Sequence, residues 1–313
     1  MSTTPQTVIT AEPTRPPGDR IGYGAVHLDV TDLERSMAFW RDLIGLQPVP
    51  TVGEGIGLGV DGHPLIVVHE GAVRVAGRGN AGLYHVAVHL PDDVAFATVL
   101  ARLIIARMPQ SPTDHVFSKA TYLHDPDGIM LELTLETPER FRSIEISPSG
   151  VVMYDAHGRR QPATGPLDVE AALAPLGDRD PMVAMPAGTF IGHVHLHVPD
   201  LDDALVFYRD VVGFTEHAVM RAYGMADLSA GGTFPHRIAV NDWHGRQARQ
   251  APTGTAGMRH FELTVAGAPE LAALTARLVA AGVAHALTPE GLRFADPAGN
   301  RIIVRAPMLA SAV

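Results

Sequence analysis

The sequence of 313 residues contains no cysteine. Disulfide bonds, thiolate nucleophiles, zinc ribbons and iron–sulfur clusters are therefore excluded. Positive charge is scarce, because 24 lysines and arginines stand against 34 acidic residues and leave a formal net charge of -10. That balance argues against a nucleic acid or an anionic membrane as the partner.

Long hydrophobic runs are also missing from the chain. No stretch of about 18 apolar residues occurs, so the sequence predicts no membrane-spanning helix. Hydrophobic residues make up 46% and charged residues 19%, which is typical of a globular protein. We expect a cytoplasmic protein, with residues 1–20, rich in Thr and Pro, as a disordered tail.

Two segments of the chain carry the same helix motif. The sequence DLERSMAFWRDLIGL from Asp32 matches DLDDALVFYRDVVGF from Asp200. In each segment an aspartate at the N-cap position precedes apolar residues at helical spacing, and a glycine, Gly45 or Gly213, ends the pattern. A strand of alternating polarity precedes each helix. The chain therefore contains an internal repeat.

A second pair of segments repeats as well. GLYHVAVHL, then a helix, then HDPDGIMLEL corresponds to GMRHFELTV, a helix and ADPAGNRIIV. This correspondence aligns His85 with His260 and Gly128 with Gly299, and each segment is predicted to form a strand, a helix and a turn before a final strand. We expect a Pro/Gly-rich connection over 137–189, with at most a short helix around 167–176. The four units lie near residues 21–70, 80–136, 190–245 and 258–306.

The order of elements in these units, with the segment IGHVHLHVPDLDDALVFYRDVVGF, resembles the vicinal oxygen chelate superfamily, and within it the catechol 2,3-dioxygenase-like type I extradiol dioxygenases. The resemblance implies an α+β fold of four βαβββ modules that form two open, barrel-like curved mixed sheets. It implies a divalent metal, Fe(II) with Mn(II) as the alternative, inside one of them. It also implies cleavage of a catechol-type aromatic diol with O₂, in an enzyme that we expect to be a homo-oligomer.

A metal that binds both a diol and O₂ needs protein ligands on one side only, and two histidines with one carboxylate provide this for Fe(II). In the family, a histidine ligand precedes the aspartate at the start of the helix by seven residues. That rule selects His193 in unit three and His85 in unit two. The family carboxylate follows the turn glycine by four residues, which selects Glu132.

Only one pairing of the units completes this ligand set. Unit one has Ala25 at the histidine position, and unit four has Ile303 at the carboxylate position. Pairing in chain order would therefore leave two incomplete sites. Pairing unit two with unit three joins His85, Glu132 and His193, and we prefer it.

Four other histidines have less defined roles. His195 and His197 share one strand face with the ligand of unit three, because alternate residues of a strand point the same way. Direct contact with the metal or substrate is their less favoured role. His27, two residues beyond Ala25, could replace the missing ligand in a chain-order pairing. We interpret His260 as a buried relic of the duplication, satisfied by hydrogen bonds.

The resemblance also assigns acid–base partners. It places a catalytic histidine in HRIAV, which is His236, and a tyrosine ten residues before the carboxylate, which is Tyr122. A second family histidine falls where this chain has Thr113, and we assign part of its role to His115 nearby. Imidazole titrates near neutrality, which suits His236 to accept the diol proton and return it later.

Two other functions stay open on the sequence. A glyoxalase- or epimerase-like isomerase of the same superfamily would need a second carboxylate at the metal, and unit three ends without an acid before Asp242. A small-molecule-binding protein of the resistance type would need no metal. Bound iron would therefore distinguish a metal-dependent enzyme from such a binding protein.

Overall fold

The computed structural model describes residues 16–147 and 150–306. The strands of this part are β1 (Ile21–Val30), β2 (Gln47–Val49), β3 (Ile56–Val60), β4 (His63–Glu70), β5 (Gly82–Leu90), β6 (Ser111–Asp114), β7 (Ser118–His124), β8 (Met130–Glu136), β9 (Phe141–Ser147), β10 (Gly150–Asp155), β11 (Arg160–Pro162), β12 (Gly165–Pro166), β13 (Phe190–His197), β14 (Thr215–Met220), β15 (Met225–Ser229), β16 (Ile238–Asn241), β17 (Gly257–Val265), β18 (His285–Thr288), β19 (Gly291–Ala295) and β20 (Arg301–Arg305). The helices are α1 (Leu33–Met37), α2 (Asp93–Ile105), α3 (Val169–Leu173), α4 (Leu201–Val206) and α5 (Ala268–Ala280).

The order strand, helix and three strands occurs four times along the chain. The first module is β1-α1-β2-β3-β4, the second β5-α2-β6-β7-β8, the third β13-α4-β14-β15-β16 and the fourth β17-α5-β18-β19-β20. They form two large mixed sheets, and neither sheet closes on itself. This confirms the predicted α+β fold class of four βαβββ modules.

The sheets join the modules in a particular way. One sheet has nine strands in the order β12-β6-β7-β8-β5-β13-β16-β15-β14, so it combines the second module with the third. The other has eight strands in the order β18-β19-β20-β17-β1-β4-β3-β2, so it combines the fourth with the first. In each sheet the first strands of two modules run antiparallel side by side at the centre. Residues from separate halves of the chain therefore meet on one sheet face.

The repeated helix motif folds as its sequence predicts. The side chain of Asp32 accepts a hydrogen bond from Arg35 N, and that of Asp200 accepts from Asp202 N and Asp203 N, which satisfies amides at each helix start. Both helices continue as a π-helix, over Ala38–Leu43 and Phe207–Val212. Gly213 ends the second with a φ of 107°, which favours glycine.

The connection between the second and third modules contains more structure than the sequence predicted. α3 lies where a short helix was expected, but β9, β10 and β11 also form a three-stranded antiparallel sheet. The expectation of at most a short helix was therefore wrong. The segments FRSIEIS and GVVMYD have the alternation and β-branched residues of strands, a signal that the Pro and Gly content obscured.

Two earlier expectations concerned the N-terminal tail and membrane-spanning helices. Residues 1–15, most of the predicted disordered tail, lie outside the described residues. The tail's described end is ordered, because Asp19 is buried and its Oδ2 lies 2.7 Å from Nε of the buried Arg237. No helix within residues 16–147 and 150–306 is long and apolar enough to cross a membrane.

Candidate metal centre

Three side chains of the nine-stranded sheet converge on one point. His85 Nε2 lies 3.1 Å from His193 Nε2, and Glu132 Oε2 lies 3.0 Å from each of these nitrogens. All three residues are at most 3% exposed. The structure thus brings together the three side chains that the sequence analysis selected as ligands.

The pairing of three strands explains this convergence. β5 runs parallel to β8 with Ala87 opposite Glu132, and antiparallel to β13 with Ala87 opposite His193. These three residues form one row across the sheet, and His85, two residues before Ala87, points to the same face. Because the alanine side chain is short, the three longer side chains can meet above it.

A chain of hydrogen bonds determines which nitrogen of His193 faces the cluster. Glu136 Oε1 lies 2.8 Å from His89 Nδ1, and His89 Nε2 lies 2.9 Å from His193 Nδ1. An ionised carboxylate only accepts, so His89 Nδ1 carries a proton. Burial lowers the pKa of His89 and that of His193, so both rings are neutral and His193 Nδ1 donates to His89 Nε2. The lone pair of His193 is therefore on Nε2.

This arrangement places several lone pairs against one another in a buried space. Burial opposes ionisation of the Glu132 carboxyl, and a positive charge or an N–H donor beside it favours the ionised form. The carboxylate oxygen and the bare Nε2 of His193 are then two acceptors 3.0 Å apart. His85 can supply at most one proton, and its buried Nδ1 has no hydrogen-bond partner within the described residues. A cation would relieve the repulsion, and two imidazole nitrogens with one carboxylate oxygen fit a divalent first-row metal.

His236 lies beside this cluster, just before β16. Its ring centroid is 4.3 Å from that of His193, and its Nδ1 is 2.9 Å from Asp227 Oδ1 on β15. Burial lowers the pKa of His236, but the negative charge of Asp227 outweighs it and the pKa is raised. The imidazole can therefore hold and release a proton near neutral pH. Sequence reasoning did not find Asp227, because its role depends on the β15–β16 pairing.

Tyr122 and His115 form a second polar pair next to the cluster. Tyr122 lies opposite Glu132 in the β7–β8 pair. Its hydroxyl is 2.9 Å from His115 Nε2, and His115 Nδ1 is 3.0 Å from the carbonyl oxygen of Ala163. A carbonyl only accepts, so Nδ1 carries a proton, and Nε2 is the nitrogen that faces the Tyr122 hydroxyl. Burial and the charge of Glu132 raise the pKa of Tyr122 well above its usual range, so the phenol stays protonated.

Comparison with known proteins identifies the family. The model of the Glyoxalase/Bleomycin resistance protein/Dioxygenase superfamily matches residues 22–133 and 190–304. The chain belongs to this superfamily. Catechol-2,3-dioxygenase of Bacillus subtilis (strain 168) is 34% identical to it over 288 residues, which cover 90% of this chain and 95% of that protein. The predicted resemblance is thereby confirmed.

Solved structures show the same superfamily fold. A putative dioxygenase from Bacillus subtilis has a TM-score of 0.60 at 14% identity, covering 91% of this chain and 84% of that one. Glyoxalase I from Zea mays has a TM-score of 0.51 at 14% identity, covering 91% and 92%. The likeness therefore extends over all four modules.

Two further histidines of this superfamily member line the same face. The ring centroid of His195 lies 5.0 Å from that of His85, and His195 Nε2 is 2.8 Å from Asn241 Nδ2. His195, His85 and His236 offer nitrogens within 4.8 Å of one another, so His195 lies beside the cluster. His197 is one step further away, with its Nδ1 2.7 Å from Asn241 Oδ1.

Proposed function

We propose that this superfamily member is an Fe(II)-dependent extradiol dioxygenase that cleaves a catechol-type aromatic diol with O₂. The observation that carries the proposal is the buried meeting of His85, Glu132 and His193, whose acceptor atoms need a cation between them. Ligands from one side leave positions for a diol and O₂, and the same donor set accepts Mn(II). The identity of 34% with catechol-2,3-dioxygenase supports the same class of reaction.

When bound, the metal supplies a charge that lowers the pKa of a diol hydroxyl and a redox-active site for O₂. His236 accepts the proton that the diol loses, and Asp227 stabilises the imidazolium that results. The raised pKa of His236 lets it return that proton later in the reaction. His236 is thus the acid–base group.

Tyr122 and His115 provide a hydrogen-bonding pair for the substrate. A diol hydroxyl can donate to the Tyr122 oxygen while Tyr122 donates to His115 Nε2. The contact of His115 with Ala163 fixes its ring orientation, and hence the direction of the phenolic hydrogen. Tyr122 therefore positions the substrate, and His115 positions Tyr122.

The two alternative functions have less support. An isomerase of the glyoxalase kind would need a second carboxylate at the metal, and among the described residues none other than Glu132 joins the ligand group around His85. The likeness to glyoxalase I concerns the fold alone. A binding protein of the resistance type gives no reason for a buried carboxylate against two neutral imidazoles.

Ring cleavage can be measured directly. The metal-free protein is loaded anaerobically with Fe(II), catechol is added and air is admitted, and the yellow semialdehyde is followed by its absorbance. We expect colour in the wild type and in His157→Ala, a matched control at an exposed histidine, and none in Glu132→Ala or His193→Ala. Stoichiometric iron without colour from catechol or substituted catechols would refute the proposed reaction. A protein that binds no iron would refute the metal site as well.

A further inference from the structure

A second group of possible ligands lies in the eight-stranded sheet, away from the site described above. His27 Nε2 is 3.2 Å from Glu262 Oε1, and the ring of His27 stacks on that of His260 with centroids 3.9 Å apart. The two histidines face each other across β1 and β17. The three side chains offer ligand atoms within 4.8 Å of one another. Two histidines and one carboxylate thus meet here too.

The position of the carboxylate differs between the two sheets in a simple way. In the nine-stranded sheet, Ala87 on the central strand lies opposite Glu132 on its neighbour. In the eight-stranded sheet, Glu262 on the central strand lies opposite Ile303. The acid is therefore absent from the outer strand but present one strand across, in the same row. A carboxylate oxygen is therefore still available in this row of the eight-stranded sheet.

The histidine position shows the same kind of replacement. Ala25 stands where the repeat has a histidine, and His27, two residues later on the same strand face, projects toward Glu262. His69 Nε2 lies 2.9 Å from His27 Nδ1 and so leaves Nε2 of His27 for the cluster. Both positions that looked incomplete in the sequence thus have a neighbouring donor.

His260 supplies the second imidazole of this cluster. His260 is half-buried and stacked on His27, and no hydrogen bond to its ring nitrogens occurs within the described part of the chain. The described residues therefore give His260 neither the full burial nor the hydrogen bonds that we expected. A free nitrogen beside a buried carboxylate is suited to a metal.

Access to the cluster is provided by a cavity of about 890 Å³ that His27 and His260 help to line. Arg305 reaches into it and pairs with Glu262 Oε1, while its side chain stays 30% exposed. An ion that binds Glu262 must displace this guanidinium, which can move to solvent. Arg305 is therefore a competitor for the carboxylate.

We propose that the eight-stranded sheet binds a second divalent first-row metal ion through His27, His260 and Glu262. His69 orients His27, and Arg305 limits the affinity by competing for Glu262. The mixed nitrogen and oxygen donors suit Fe(II), Mn(II), Co(II) or Zn(II). This site is separate from the proposed catalytic one and does not depend on its reaction.

The number of ions bound per chain tests the proposal. Metal-free protein is titrated with Co(II) and the bound ions are counted by calorimetry and by visible absorbance. We expect two ions in the wild type and in the exposed control His157→Ala, and one each in His193→Ala, His27→Ala and Glu262→Gln. The double variant His193→Ala/His27→Ala should bind none.

Arg305→Gln provides a test that does not remove a ligand. It should keep two ions and tighten the second by about fivefold, because the partly exposed ion pair that competes for Glu262 is gone. A wild type that binds one ion, lost in His193→Ala and kept in His27→Ala, would overturn the second site. So would an Arg305→Gln variant that binds the second ion no more tightly than the wild type. A wild type whose single ion survives His193→Ala and is lost in His27→Ala would instead overturn the proposed catalytic site.

Discussion

The hydrogen bonds behind His193 lead to a quantitative prediction for His89. This histidine is fully buried between His193 and Glu136 and makes one contact to each, of 2.9 Å and 2.8 Å. Its ring occupies the space above Gly192, where a Cβ atom would lie 2.1 Å from it. Leucine fills much of the same volume but can neither accept from His193 Nδ1 nor donate to Glu136. His89→Leu therefore removes the group that orients His193.

The size of the effect follows from what His193 loses. Removing a partner that orients a metal-bound imidazole lowers metal affinity by about 10- to 100-fold, or about 1.4–2.7 kcal/mol. Leaving the buried N–H of His193 without an acceptor costs about 1–3 kcal/mol of folding stability as well. The two effects must therefore be measured separately.

The assay is competition for Co(II) between the protein and a fluorescent chelator, with His27→Ala in every variant so that the proposed second site does not contribute, together with urea unfolding of the metal-free protein. His197→Leu is the matched control, because His197 is buried on the same strand as His193 and its Nδ1 bonds to Asn241. The control should lose stability and keep its metal affinity. If His89→Leu loses stability to the same extent and binds Co(II) as tightly as the wild type, the orienting role is refuted.

Three further predictions concern neighbouring contacts. Burial raises the pKa of Glu136, but His89 and a nearby arginine outweigh it and hold the pKa at about 2 instead of 4.5. The ionised carboxylate therefore stabilises the fold above pH 4.5, and this contribution is lost as the pH falls toward 2. In urea unfolding, Glu136→Gln should lower the free energy of unfolding by about 2–3 kcal/mol near neutral pH and by much less near pH 2. Tyr122→Phe should lower ring-cleavage turnover by about 100-fold and leave Co(II) affinity unchanged, since its hydroxyl contacts His115; equal turnover would contradict its role. Gly192→Ala should weaken Co(II) binding by displacing the His89 ring, and unchanged affinity would show that the ring is not held there.

Much of the fold could be predicted because its signals are local. Asp32 and Asp200 each cap a helix within three residues of their own position, and the apolar spacing after them needs no distant partner. The convergence of Glu132 with His193 could be anticipated because the family resemblance assigns each ligand to a defined position in its module. The pairing of the second module with the third then brought them into one row.

The contacts that His89 and Asp227 make around the cluster could not be predicted in the same way. His89 meets His193 through the pairing of β5 with β13, whose register shifts between Ile191 and His193. A one-residue irregularity of this kind changes which side chains face each other and leaves only a weak trace in sequence, here Gly192. The contact between His236 and Asp227 depends likewise on neighbouring strands. Contacts that depend on register need coordinates.

The central claim is that one metal ion lies between His85, Glu132 and His193. A crystal structure of the Fe(II)-loaded protein, with diffraction measured on both sides of the iron absorption edge, tests it most directly. The account predicts an anomalous peak at that point, within bonding distance of both Nε2 atoms and of the Glu132 carboxylate. Iron-loaded crystals without a peak among these three side chains would contradict it.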